Sequence, residues 1–314
     1  MAATNHRISL IRGSLLLFLV LIFLQPGRGG QVTPQITTLR IAGCEIEVTL
    51  PDEQMKVSAE ELLGWVKGAA AAVSEYYGHF PVEHVTLRIR AGNGSGVRHG
   101  VTYPRFGGLI LINVGQQTPA EDLKTDWTLT HEMIHLAFPN VPDDQHWVEE
   151  GISTYVEPVA RAQVGNLSAK DVWKEFIRDM PKGQPESGDQ GLDNTHTWGR
   201  TYWGGALFCL TADVQIRERT HNRKGLQDAL RAIVDHGGRI TEDWDIEKTL
   251  AIGDQGTGTK VLQELYRDMS SKPVKVDLDQ LWKKLGVGLK NGEVIFDDKA
   301  VNAATRKAIT TSRR

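Results

Sequence analysis

Cysteine is scarce in this chain, which has two, Cys44 and Cys209, in 314 residues. Two thiols exclude a small disulfide scaffold and a zinc site built on cysteine alone. They could form one disulfide if their Cα atoms lie within roughly 7 Å of each other. They could equally be two separate buried thiols. The sequence leaves both alternatives open.

The chain also lacks an excess of positive charge. Its 36 lysines and arginines are outnumbered by 39 aspartates and glutamates, and the formal net charge is -3 at pH 7. Nucleic-acid-binding domains usually carry a basic surface, so we predict no nucleic-acid partner. With 40% hydrophobic residues the chain can bury a substantial core, and a small molecule, peptide or protein is the favoured partner.

A hydrophobic run long enough to span a bilayer comfortably is missing as well. The apolar run from Leu15 to Leu24 is shorter than the roughly 17 to 25 residues that a transmembrane helix needs. Because Arg7 and Arg12 precede this run, we predict that residues 1–30 form a cleaved secretory signal. The alternative is an uncleaved membrane anchor over residues 13–26. Either way, we expect a secreted or extracytoplasmic protein, for example a periplasmic one, that touches the membrane only through an uncleaved N-terminus.

Strand patterns fill the next part of the chain and helical patterns fill the rest. From Ile36 to Gly115, β-rich runs surround one predicted helix, SAEELLGWVKGAAAAVSEYYG. After Pro119 the pattern is almost wholly helical. We therefore predict an α+β fold, with a mixed β-sheet and a helix in a β-rich subdomain over residues 31–118 and a mostly α-helical subdomain over residues 119–314.

Two segments are predicted as loops. The stretch AGNGSGVRHG, Ala91 to Gly100, lacks the Lys-Ser/Thr ending of a phosphate-binding loop and is interpreted as a flexible hairpin loop. The stretch from Pro181 to Arg200 is rich in Gly, Pro, Asp and Asn, and its length indicates a disordered or a functional loop.

One short motif combines two histidines and a glutamate. In TDWTLTHEMIHLAF, the apolar spacing predicts a helix, with Thr125 or Asp126 as its N-cap. His131 and His135 then lie one turn apart on one face and can reach one tetrahedral ion at about 2.0–2.1 Å. Glu132 lies about 100° further round, where it could accept a proton from a metal-bound water.

A third ligand is available on the following helix. HWVEEGISTYVEPVARA begins after a short turn and carries Glu149 and Glu150 in its first turn. Either carboxylate could complete a zinc site if the turn folds this helix back beside the histidines. Alternatively, both carboxylates could simply stabilise the positive end of the helix dipole.

These motifs resemble a known group of enzymes. HEMIH followed by WVEEGISTYVE is similar to the gluzincins, the thermolysin-like zinc metallopeptidases of the MA clan, whose third zinc ligand is a glutamate in a W-x-x-E-G helix. TYWGGALFCLTADVQIRERTHNRKGLQDALRAI resembles the glycyl aminopeptidase family, and the resemblance extends over residues 127–287. It implies a thermolysin-like zincin fold and a zinc-dependent peptidase that hydrolyses peptide or protein substrates.

The resemblance also implies roles for individual residues. It makes His131, His135 and Glu150 the Zn²⁺ ligands, Glu132 the general base and Tyr202 the transition-state donor. The Gly-x-Met-Glu-Asn element, by which many aminopeptidases of this clan hold a substrate amino terminus, is not found before the histidines. The choice between exopeptidase and endopeptidase therefore stays open, and an inactive peptidase-like protein that binds peptide or cell-envelope material is the alternative function.

Further residues near the predicted site could have supporting roles. By analogy with the clan, the strand GLILINVG is expected to be the sheet edge that pairs with an extended substrate. Thr154 could donate a hydrogen bond to a ligand histidine, or it could lie on the helix surface. His146 and His196 lie near the predicted site but could be solvated loop residues. The tryptophans are expected to pack in the helical core or to line its cleft: Trp127, Trp147, Trp173, Trp198 and Trp203.

Overall fold

The computed structural model describes residues 36–312. The predicted signal peptide or anchor over residues 1–30 lies outside this range, and the extracytoplasmic location stays a prediction. Within the described range, no helix combines the length and the apolar character needed to cross a membrane.

A five-stranded mixed sheet forms the N-terminal part, as predicted. Its strand order is β1-β2-β3-β5-β4. β1 and β2 form an antiparallel hairpin, β2, β3 and β5 run parallel, and β4 is antiparallel to β5. The strands are β1 Ile36–Ile41, β2 Cys44–Thr49, β3 His84–Gly92, β4 Val97–Tyr103 and β5 Leu109–Gly115.

Helix α1, Ala59–Tyr77, is the helix predicted for this part. Its N-terminus has a capping box, in which the Ser58 hydroxyl accepts from the Glu61 amide and the Glu61 carboxylate accepts from the Ser58 amide. Gly78 ends the helix with a φ of 87°, a left-handed conformation that glycine adopts without strain. α1 packs against β1 and against the two helices that carry the metal-ligand candidates, α3 and α4.

The C-terminal part is mostly helical, which confirms the predicted fold class. A short hairpin, β6 with β7, interrupts the helices. The division into subdomains 31–118 and 119–314 stays a prediction. The elements are α2 Ala120–Thr125, α3 Thr128–His135, α4 His146–Gln163, α5 Ala169–Asp179, α6 Gly205–Thr220, α7 Leu226–Asp235, α8 Ile246–Thr257, α9 Val261–Met269, α10 Leu278–Leu285, β6 Val287–Lys290, β7 Glu293–Phe296 and α11 Ala303–Thr310.

Two glycines let α4 and α6 touch backbone to backbone. A Cβ atom added to Gly151 would lie 2.3 Å from the Cα of Gly205, and one added to Gly205 would lie 2.2 Å from the carbonyl oxygen of Trp147. No side chain fits at such distances, so both positions require glycine. This contact brings the start of α6 against the turn of α4 that contains Glu150.

The sheet edge differs from the prediction. GLILINVG forms β5, which lies between β3 and β4, so its prediction as the edge strand is wrong. The edge strand beside β5 is β4, and it begins inside the stretch Ala91–Gly100 that was predicted as a flexible loop. Its sequence, VRHGVTY, is short of large apolar residues because an edge strand buries little of its surface.

The segment from Pro181 to Arg200 is packed rather than disordered. The Arg200 guanidinium is buried, pairs with Asp189 at 2.7 Å and hydrogen bonds to the carbonyl of Gly183. These contacts fix the chain just before Tyr202. Cys44 and Cys209 are separate buried thiols, so the disulfide alternative is not realised.

Candidate metal centre

The histidine motif lies on α3. This helix begins at Thr128 with Trp127 as its N-cap, so the predicted N-cap at Thr125 or Asp126 is wrong. The Asp126 carboxylate, one residue before the N-cap, accepts a hydrogen bond from the Leu129 amide at 3.2 Å. His131 and His135 lie on one face, with their Nε2 atoms 3.3 Å apart. The predicted spacing therefore brings two imidazole nitrogens to one point.

Glu150 joins the two histidines from the first turns of α4. Its Oε2 atom lies 3.1 Å from Nε2 of His131 and 3.6 Å from Nε2 of His135. Among residues 36–312, these three form the one group of histidine, cysteine and acidic residues whose ligand atoms converge, all within 4.8 Å of one another. Glu149 is turned away, because its Oε1 atom accepts a hydrogen bond from the Val141 amide at 3.0 Å.

The donor set fits zinc. Two imidazole nitrogens and one carboxylate oxygen are the ligands of many catalytic zinc sites, which keep one position open for water. Burial acts to lower the pKa of both histidines. It prevails at His131, whose pKa is lowered, whereas the hydrogen bond and the charge of Glu150 outweigh it at His135, whose pKa is raised. Both rings must be neutral to bind a metal. Burial acts to raise the pKa of Glu150, but hydrogen bonds from His131 and the other imidazoles outweigh it and lower that pKa. The carboxylate is therefore ionised.

Glu132 faces the same cleft from α3. Its side chain is 7% exposed, and its Oε2 atom accepts a hydrogen bond of 2.7 Å from the Thr102 hydroxyl on β4. Glu132 is not a member of the convergent ligand group, which leaves its carboxylate free for proton transfer. The structure thus separates Glu132 from the three ligand candidates.

Tyr202 lies in a π-helical turn, Gly199–Gly204, directly before α6. Its ring stacks on that of His131, with centroids 6.3 Å apart and planes at 22°. Partial burial, with the nearby Glu150 carboxylate, raises the pKa of Tyr202 to about 12. The phenol is therefore protonated, and can donate a hydrogen bond, at any physiological pH.

The residues with possible supporting roles differ in where the structure places them. His146 lines the cleft, with Nε2 3.2 Å from Oε1 of Glu150, and hydrogen bonds to Glu149 and Glu150 raise its pKa to about 10. His196 is exposed and lies 4.0 Å from Asp144. The proposed bond from Thr154 to a ligand histidine is wrong, because the buried Thr154 hydroxyl has no hydrogen-bond partner in the part of the chain that the structure describes.

Tryptophans divide between core and cleft. Trp147, Trp173 and Trp203 are buried. Trp127 is 53% exposed and contacts the His131 ring edge to face, whereas Trp198 is 60% exposed and stacks on Tyr202. Two large aromatic surfaces therefore flank the ligand candidates.

The cleft around these groups has a volume of about 640 Å³. α3 and α4 provide its metal-ligand candidates, β4 forms one wall, and Ile240 contributes from the segment after α7. That segment is held against the chain after α3, because the Ile240 amide donates to the Leu136 carbonyl and Asn140 pairs with Asp243. Neither β4 nor this segment was predicted from the sequence. The β-branched residues of GVTY were the one local signal for β4.

No protein-family model matches the sequence, and no curated protein sequence matches it. Among solved structures, an aminopeptidase N family protein from Idiomarina loihiensis is similar, with a TM-score of 0.61, 14% identity, and coverage of 81% of this chain and 49% of that one. An M1 zinc metallopeptidase from Deinococcus radiodurans is matched with a TM-score of 0.47, 14% identity, and coverage of 78% and 52%. The chain spans about half the length of these structures. At this identity the comparison shows the fold alone: the mixed sheet and the helices after it are arranged as in the Idiomarina aminopeptidase N family protein.

Proposed function

We propose that this chain is a zinc-dependent peptidase. The observation that carries the proposal is the convergence of His131, His135 and Glu150 in a cleft that also contains Glu132 and Tyr202. These five residues supply a ligand set, a base and a neutral hydrogen-bond donor, which are the groups that metal-assisted hydrolysis needs. The fold shared with an aminopeptidase N family protein supports the same reaction class.

His131, His135 and Glu150 would hold the metal. When bound, zinc lowers the pKa of its water toward about 7 and polarises the scissile carbonyl. The Glu132 carboxylate accepts a proton from the attacking water and passes it to the leaving nitrogen. The Tyr202 hydroxyl donates a hydrogen bond to the negative charge that develops on the carbonyl oxygen.

The substrate would be an extended peptide or protein segment. β4 is the edge strand of the sheet and lines the cleft beside Glu132, so its outer edge is available for pairing with an extended chain. We therefore propose β4, and not β5, as the strand that pairs with an extended substrate. Residues 1–30 support a location outside the cytoplasm.

A peptide library tests the proposal. The purified full chain, loaded with zinc, is incubated with peptides of mixed sequence, and the products are identified by mass spectrometry. We expect cleavage that stops on chelation and returns with zinc. Cut positions within peptides would identify an endopeptidase, and sequential loss of terminal residues would identify an exopeptidase.

Glu132→Gln is the matched control, because it keeps the size of the side chain and removes the base. We expect it to retain zinc and to lose turnover by about 10²–10⁴. Binding of peptides without any cleavage by the wild type would contradict the proposal and favour the inactive, peptide-binding alternative.

A further inference from the structure

The carboxylate of Glu132, the proposed base, is held by a hydrogen bond from strand β4 and not by a residue of its own helix, α3. The Thr102 hydroxyl on β4 lies 2.7 Å from Oε2 of Glu132 and 2.9 Å from the main-chain carbonyl oxygen of the same residue. Both acceptors belong to Glu132, and the hydroxyl has a single proton, which it shares between the side-chain carboxylate and the main-chain carbonyl of that residue. No other hydrogen bond holds the Glu132 carboxylate within residues 36–312.

Gly100 shapes the other side of the same carboxylate. A Cβ atom added to Gly100 would lie 2.6 Å from Cγ and 2.8 Å from Oε1 of Glu132. Non-bonded atoms do not approach so closely, whether carbon to carbon or carbon to oxygen. Any side chain at position 100 would therefore displace the Glu132 side chain. Gly100 and Thr102 are two residues apart on a strand, so their positions face the same side of β4. The strand therefore holds Oε2 and leaves room for Oε1.

We infer that Thr102 is a positioning residue for Glu132, and that Gly100 provides the space in which the positioned carboxylate lies. The inference rests on the proposed function, in which Glu132 is the base. A glutamate has three rotatable side-chain bonds, and a single fixed orientation must be imposed by its surroundings. Proton transfer depends on that orientation, because a base acts only within hydrogen-bond reach of the proton that it removes.

The same geometry links substrate recognition to the base. β4 is the strand edge proposed to pair with substrate, and it is also the strand that holds Glu132. The Thr102 hydroxyl contacts Glu132, which lies outside the group of three ligand candidates. Its loss is therefore expected to affect the rate of the chemical step and to leave metal content unchanged.

Three variants test the inference. Thr102→Val removes the hydroxyl at nearly constant shape, and Thr102→Ser keeps the hydroxyl. Thr86→Val is the matched control, because Thr86 lies on β3 and is not among the residues that line the cleft. We expect Thr102→Val to lower kcat about 10- to 100-fold, with KM within about threefold of the wild type and full zinc content. Thr102→Ser should recover most of the lost turnover, and Thr86→Val should match the wild type.

Crystal structures of the zinc-loaded wild type, of Thr102→Val and of Thr102→Ser provide a readout that does not depend on turnover. We expect the Glu132 carboxylate to leave its position in the variant and to keep it in Thr102→Ser. A Glu132 side chain in the same place in all three structures would overturn the inference, whether or not the protein is a peptidase. Equal kcat for an active wild type and Thr102→Val would also overturn it, whereas an inactive wild type would instead refute the proposed function.

Discussion

The choice between two adjacent glutamates gives a sharp test of the metal centre. Glu150 points its Oε2 atom at both histidines, at 3.1 and 3.6 Å, whereas Glu149 accepts a hydrogen bond from the Val141 amide. Glu150→Gln removes the one anionic ligand of the proposed zinc site. Glu149→Gln makes the same chemical change one residue away, and its amide oxygen can still accept from Val141.

The expected effect follows from linkage between binding and stability. A metal present at 1,000 times its Kd stabilises the folded state by about 4.1 kcal/mol. Loss of a residue that merely supports a ligand weakens metal binding about 10- to 100-fold, so loss of the anionic ligand itself should weaken it by at least about 100-fold. At the same zinc concentration, the stabilisation in Glu150→Gln then falls to about 1.4 kcal/mol.

Thermal unfolding with and without zinc measures this difference. At about 1.7 °C per kcal/mol, the value that an unfolding entropy of about 2.1 cal/mol/K per residue gives for roughly 280 residues, zinc should raise the Tm of the wild type by about 7 °C. The rise should shrink to about 2 °C or less in Glu150→Gln and stay at the wild-type value in Glu149→Gln. A full zinc response in Glu150→Gln together with a lost response in Glu149→Gln would refute the ligand assignment.

Two further predictions concern the loop and turn before α6. Tyr202→Phe should keep zinc content and folding while lowering kcat about 10²–10³-fold, because the donor to the oxyanion is lost; a steady-state assay with kcat within about twofold of the wild type would rule out this role. Arg200→Met should lower the free energy of unfolding by about 3–5 kcal/mol, because it leaves Asp189 buried without its partner. Urea unfolding measures this value, and adding Asp189→Asn to Arg200→Met should recover part of the loss; no recovery would show that the pair is not coupled.

Much of the sheet was predictable from local sequence. The runs in β1, β3 and β5 are rich in Ile, Leu, Val and Thr, and the helix α1 has a capping box that can be read directly from Ser58 and Glu61. The order of the strands was not predictable in this way. β5 follows β4 in the chain but inserts between β3 and β4, and that choice depends on which strands are buried on both sides.

The metal centre was predictable in outline for a simple geometric reason. Residues four apart on a helix share a face, so the histidine pair needs no tertiary information. Glu149 and Glu150 differ by about 100° of helix rotation, and the packing of α4 on α3 decides which of them reaches the histidines. The role of Thr102 could not be predicted from the sequence, because 30 residues separate it from Glu132 and the sequence of β4 has few residues that favour a strand.

Metal analysis of the purified full chain tests the central claim most directly. The zinc content is measured by mass spectrometry after exposure to excess zinc and removal of loosely bound metal, for the wild type and for His131→Ala and His135→Ala. We predict one zinc per chain in the wild type and an empty site in both variants. A wild type without bound zinc, or variants with full zinc content, would contradict it.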